Sequence, residues 1–242
     1  MIPLIRLGNI EISTYWMMMG LGYLAMVFLV LKRRERFNLK KWQSIAITSA
    51  IMFFGILGSK LLYCLENMNE LQGNGLPLTN GFSFFGAVFL IPPLMACFGM
   101  LFGLRPKQTM DLSAPCGVLM AGTLRFGCFM NGCCGGISAV LFGHTFRWPT
   151  QAIESIGDFA ILFWLLSVEK KNSEEAHLYP RFMLTYGVLR FFVELMRDTP
   201  KDWWALSHGQ WFSIIAVAVS ATILTRKNAL GKRNAQCNGR KK

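Results

Sequence analysis

The stretch ISTYWMMMGLGYLAMVFLVLKRRERFNLKK, residues 12–41, decides how the rest of the chain is read. Residues 12–31 form an apolar run of the length, roughly 20 residues, that crosses a ~30 Å hydrocarbon layer as a helix. The basic block that follows holds no small-residue cleavage site. The run also exceeds the apolar part of an export signal, so it reads as a retained helix.

Working outward, further apolar segments recur down the chain, separated by short polar links. Of 242 residues, 53% are hydrophobic and only 16% charged, and the mean hydropathy is +0.38. That composition leaves too little polar surface for a soluble domain, so lipid is the main solvent. The expected fold is an all-α polytopic membrane helix bundle with about seven transmembrane helices, over 12–31, 42–65, 82–104, 112–129, 151–168, 178–196 and 210–224. Residues 1–225 make the transmembrane domain, and 226–242 a basic cytoplasmic tail without regular structure. No internal repeat is visible.

The net charge of +12 does not point to nucleic acid, because Lys and Arg fall in blocks between apolar segments. Four blocks, 32–41, 105–107, 170–181 and 226–242, lie on one side of the alternating helices. The other side holds only Arg6, Arg147, Arg197 and Lys201. The positive-inside rule then gives an N-out, C-in topology in the bacterial inner membrane. With that orientation Tyr15, Lys60, Tyr63, Ser83, Arg125, Gln151, Glu154, Asp158, Arg190, Glu194 and Arg197 all fall toward the outer leaflet. Charges in lipid face a bundle interior or cavity and mark function. Snorkelling to the interface is an equal account for Lys60, Asp158 and Arg197.

Three motifs carry chemistry. YGVLRFFVELMR (186–197) puts Tyr186, Arg190, Glu194 and Arg197 on one helical face, either as an i,i+4 ion pair or as a path for an anionic head group. RFGCFMNGCCGG (125–136) leaves a helix into a glycine-rich turn that allows close backbone approach to a ligand. WPTQAIES (148–155) places Pro149 at a helix start, with Gln151 and Glu154 on one side.

With GSKLLY (58–63), GFSFFGA (81–87) and HGQ (208–210), these motifs resemble the phosphatidylglycerol–prolipoprotein diacylglyceryl transferase family in order and topology. The resemblance implies transfer of the diacylglyceryl group of phosphatidylglycerol to the lipobox cysteine of a preprolipoprotein, with release of glycerol phosphate. By the same resemblance Arg125 and Arg190 match essential arginines, Tyr15 and Tyr186 functional tyrosines, and Glu194 the glutamate of the sixth-helix motif. Asn131, Gly132 and Gly136 match the signature, and Arg197 a further arginine. Tyr15, Asn131, Gly132, Gly136, Gln151, Glu154 and Arg197 are assigned to substrate binding; Arg125, Arg190, Tyr186 and Glu194 to catalysis. The chain departs from the family at Phe85 (histidine there), Cys133 (glutamate) and Cys128 (asparagine), and its 137–147 loop is shorter.

The implied displacement moves charge from sulfur to phosphate and asks for no nucleotide or metal. Candidate bases are Glu154, Glu194, His144 or a tyrosinate; a lone histidine in an outer loop is usually an ordinary surface residue. Cys128, Cys133 and Cys134 match no standard zinc spacing and read as free thiols, with a disulfide from Cys128 to either neighbour open in an oxidising compartment. Two other classes fit the composition: a lipid or solute transporter, which the lack of repeats and midplane breaks disfavours, and a non-catalytic membrane partner that kept the fold. The topology is checked by impermeant thiol labelling: Gln72→Cys should label from outside and Ala229→Cys should not. The reverse pattern would overturn the orientation.

Overall fold

The computed structural model describes the backbone over residues 4–7, 10–68, 82–141, 144–171, 177–199 and 204–239, with side chains over 13–68, 82–140, 145–171, 177–199 and 204–227. The outer loop 69–81 and Lys201 of the charge argument lie outside the described residues, as does the His144 side chain. Seven α-helices run along the described chain: α1 Thr14–Arg33, α2 Lys41–Glu66, α3 Phe84–Met100, α4 Pro106–Asn131, α5 Thr150–Lys171, α6 Leu178–Leu195 and α7 His208–Gly239. Five are long and apolar enough to cross a membrane. Of the other two, α3 is apolar but has 17 residues, and α6 carries Arg181, Arg190 and Glu194.

Three features differ from the sequence reading. Two hairpins, β1 Leu4–Leu7 with β2 Ile10–Ser13 and β3 Ser138–Leu141 with β4 His144–Arg147, join the otherwise all-α bundle at the end where α4 finishes and α5 starts. Each strand has four residues, too few for alternation to register. Second, α4 begins at Pro106, because proline at the first turn needs no hydrogen bond and the Gln108 side chain accepts the Arg105 N–H at 2.9 Å. Third, α7 continues through Gly239 where an unstructured tail was expected. Residues 226–239 contain no proline and several good helix formers, so the ladder started in the apolar part propagates.

The helix α4 is the central post. One apolar cluster joins Met26, Ile47, Ile51, Ile91 and Met95 to its Leu112 and Cys116; a second joins Val88, Leu162, Leu165, Phe182 and Tyr186 to its Ala114, Val118 and Ala121. At the basic-loop end a buried ion pair braces the post: Arg33 binds Glu169 on α5 (Nε–Oε2 2.9 Å) and donates to the Leu112 and Asp111 carbonyls at 3.0 and 3.1 Å. Asp111 in turn accepts the Tyr179 N–H at the start of α6.

α2 and α3 cross at bare backbone. A Cβ on Gly86 would collide with the Gly58 carbonyl oxygen, and one on Gly58 would sit 2.6 Å from that of Gly86. Small residues permit such approach between membrane helices. Gly86→Ala should therefore cost ~1–3 kcal/mol through forced overpacking, read as a lowered thermal unfolding midpoint of the detergent-purified protein. Gly20→Ala, whose Cβ meets nothing within 4 Å, should not.

Candidate active site

The polar residues gather at the opposite end of the bundle from Arg33, where α4 ends, α5 begins and α6 ends. Pro149 precedes the first turn of α5 and leaves Glu154 buried one turn in. Its carboxylate takes Arg125 Nε of α4 at 3.0 Å and Arg190 Nη1 of α6 at 2.8 and 2.9 Å. Arg190 then reaches Glu194 through Nη2 at 2.8 Å, and Arg197 stands 3.8 Å from the same carboxylate. The i,i+4 pair within helix six is present, and Glu154 is the member that spacing in one helix did not reveal. Asp158, one further turn along α5, is fully buried and meets no hydrogen-bond donor among the described residues.

The start of α7 closes on this chain. Ser207 and Gln210 cap it reciprocally: Ser207 N–H donates to Gln210 Oε1 at 3.0 Å, and Gln210 N–H to Ser207 Oγ at 3.3 Å. Ser207 Oγ also donates to Glu194 Oε1 at 3.2 Å, and Gly209 sits so close that a Cβ there would lie 3.2 Å from the Glu194 carboxyl carbon. The S-x-x-Q spacing was the signal for this cap; the sequence reading took HGQ only as a motif.

Behind the ion chain lies a cavity of about 560 Å³ between α1, α2, α3, α4 and α6. Its polar end carries Tyr15, Arg125, Asn131 and Tyr186, and its depth is lined by Met26, Ile51 and Ile91. Of the residues assigned to binding or catalysis from sequence, those four face the cavity, and Cys128, Cys133 and Cys134 line it as well. Arg190, Glu154, Glu194 and Arg197 stand in the ion chain beside it, while Gln151, Gly132 and Gly136 shape the turn. Gln151 Nε2 donates to the Cys133 carbonyl. Gly132 ends α4 at φ +74°, a left-handed position suited to glycine. Gly136 bridges to Arg197 across backbone, where a Cβ would meet the Met196 carbonyl oxygen at 2.5 Å.

Phe85 is buried among Phe89, Tyr186 and Phe212, with ring centroids 5.8–6.0 Å apart. Cys128, Cys133 and Cys134 are free thiols. The Cys134 thiol, beyond the end of α4, is pulled below the ordinary thiol range by its hydrogen bond with Cys128, aided by the Arg125 and Arg197 guanidiniums.

Removing a single member of a buried ion cluster strands the others. Glu154→Ala should cost ~3–5 kcal/mol of stability, while replacing Arg125, Glu154, Arg190 and Glu194 together by Met, which leaves no buried carboxylate of the chain unpaired, should restore most of it. Unfolding midpoints of the two variants in detergent test this; equal midpoints would show that Glu154 does not organise the cluster.

The comparisons with known proteins bear on this same arrangement. The profile of the prolipoprotein diacylglyceryl transferase family matches residues 3–226. The phosphatidylglycerol–prolipoprotein diacylglyceryl transferase 2 of Clostridium perfringens is 29% identical over 238 residues, covering 92% of this chain and 93% of the relative. The Clostridium tetani phosphatidylglycerol–prolipoprotein diacylglyceryl transferase is 30% identical over 236 residues, 89% of this chain and 93% of its own length. A match spanning the α1 to α7 bundle with every arm of the ion chain inside it places this chain in the prolipoprotein diacylglyceryl transferase family.

Proposed function

We propose that the chain transfers the diacylglyceryl group of phosphatidylglycerol to the thiol of a lipobox cysteine in a preprolipoprotein, at the outer leaflet of the bacterial inner membrane. One observation carries the reading: Arg125, terminal member of a chain of three guanidiniums and two carboxylates in contact, stands at the polar end of a cavity whose depth is apolar. That excess of one cation suits a phosphodiester, and the apolar depth suits the start of its acyl chains. Glu154 takes the Nε edge of Arg125 and fixes the plane of the guanidinium.

In the reaction the acceptor sulfur bonds to the glycerol carbon next to the phosphate, and the carbon–oxygen bond breaks with its electrons leaving on glycerol phosphate. Negative charge grows on the phosphate oxygens, and a guanidinium already in place needs no reorganisation to meet it. Arg190 holds Glu154 and Glu194 and acts on the lipid through them, which makes it a positioning residue beside the cavity. Tyr15, Asn131 and Tyr186 contact the head group from the remaining sides of the polar end.

The experiment is incubation of the purified protein with labelled phosphatidylglycerol and a lipobox peptide. Release of glycerol phosphate that depends on the peptide is expected; a transporter or a non-catalytic partner releases none. Arg125→Ala should lower transfer at least about 10²-fold while the protein still inserts. Arg125→Lys should recover little, because lysine keeps the charge and loses the fork. Phe85→His should leave transfer unchanged or raise it. Transfer absent from the wild type and restored by Phe85→His would instead mark the chain as a partner that lost its chemistry.

A further inference from the structure

Cys128, from the last turn of α4, and Cys133 and Cys134, from the turn after it, bring their Sγ atoms within 4.8 Å of one another. Sequence spacing alone does not bring them together. The chain reverses at Gly132 (φ +74°), and Cys134 itself adopts a left-handed φ of +60°, rare for a residue with a side chain. The Cys133 N–H returns to the Cys128 carbonyl at 3.2 Å. Zinc holds thiolates at about 2.3 Å, so three of them on a tetrahedral ion stand roughly 3.8 Å apart. The cluster is within about 1 Å of that spacing, and Cys134 is exposed and can turn.

All three cysteines lie on the wall of the cavity, with Arg125 and Tyr15 as neighbours. Three thiolates on a divalent ion carry one net negative charge, which the adjacent Arg125 and Arg197 offset. Three protein ligands with a fourth position left open is the pattern of a zinc ion that does chemistry, whereas a structural site is closed by four.

We propose that Cys128, Cys133 and Cys134 bind a thiophilic divalent metal ion, zinc by ligand type, whose open fourth position takes the acceptor thiol at the cavity mouth. The proposal rests on the transferase reading above. The two carboxylates of the ion chain are engaged by arginines, and Phe85 has no proton-accepting atom. A thiol bound to zinc loses its proton, here to water at the cavity mouth. The metal-held sulfur then bonds to the glycerol carbon as the carbon–oxygen bond breaks, and the electron pair leaves on glycerol phosphate beside Arg125. No oxidant or reductant takes part.

The test uses the full chain in detergent, reduced and stripped of metal, titrated with Co²⁺. A thiolate-to-cobalt charge-transfer band that saturates at one equivalent and is displaced by Zn²⁺ is expected. Cys128→Ser, Cys133→Ser and Cys134→Ser should each weaken cobalt binding by more than about 10-fold, since losing even a supporting partner at a metal site costs that much. A lipobox peptide should shift the band, and its serine analogue should not. Absence of a band in reduced wild-type protein, or a band that survives all three substitutions, would overturn the site. A band blind to the peptide would overturn the open position. Glycerol phosphate release measured on the same preparation separates the two readings: a metal band without transfer defeats the transferase reading, and transfer unchanged in all three variants defeats the role of the metal.

Discussion

One carboxylate shared by two guanidiniums holds the polar end of this protein together. Glu154 is buried, and each oxygen lies within 3 Å of a guanidinium nitrogen, from helices that are not neighbours in sequence. In a medium of low dielectric such contacts are strong when complete and ruinous when one member is missing. α4, α5 and α6 therefore meet at a single angle and depth at this end. The N-terminal turn of α7 depends on the same arrangement, because its Ser207 cap rests on Glu194, the next carboxylate along.

The other end is braced by the same kind of contact in a different role. Arg33 and Glu169 are both buried, the arginine spends its remaining donors on backbone carbonyls of α4, and Arg36 stands 3.6 Å from the same carboxylate. The Glu154 cluster also has one more guanidinium than carboxylates among its contacting members, and its terminal guanidinium, Arg125, lines the cavity.

Periodicity and charge bias were enough to read the helices, since a segment that crosses lipid must be apolar over most of its length and leaves its basic residues outside it. The depth of Arg125, Glu154, Arg190 and Glu194 toward one end followed from counting along those helices. What the sequence did not carry was which of them touch. The Arg190–Glu194 pair is local and was legible at i,i+4, but the Arg190–Glu154 contact spans 36 residues and Arg33–Glu169 spans 136, and no pattern in one chain encodes such partners. The division between cavity-facing and supporting residues was hidden for the same reason. Tyr186 and Arg190 share a helical face, yet only Tyr186 lines the cavity.

The departures at Phe85, Cys128 and Cys133 make physical sense only when taken together. An aromatic ring at 85 is content among Phe89, Phe212 and Tyr186, a dry wall in which an imidazole would need a hydrogen-bond partner that those rings do not offer. On the proposed transferase reading, a wall without a proton acceptor leaves the deprotonation of a thiol to be assisted elsewhere on the cavity, at a place both polar and reachable by a protein acceptor. The turn after α4 meets both conditions, and there two further departures set sulfur beside Cys134. On the proposal made above, the three thiols at the rim take over what an imidazole in the wall would do, and Arg125 lines the same cavity as those thiols.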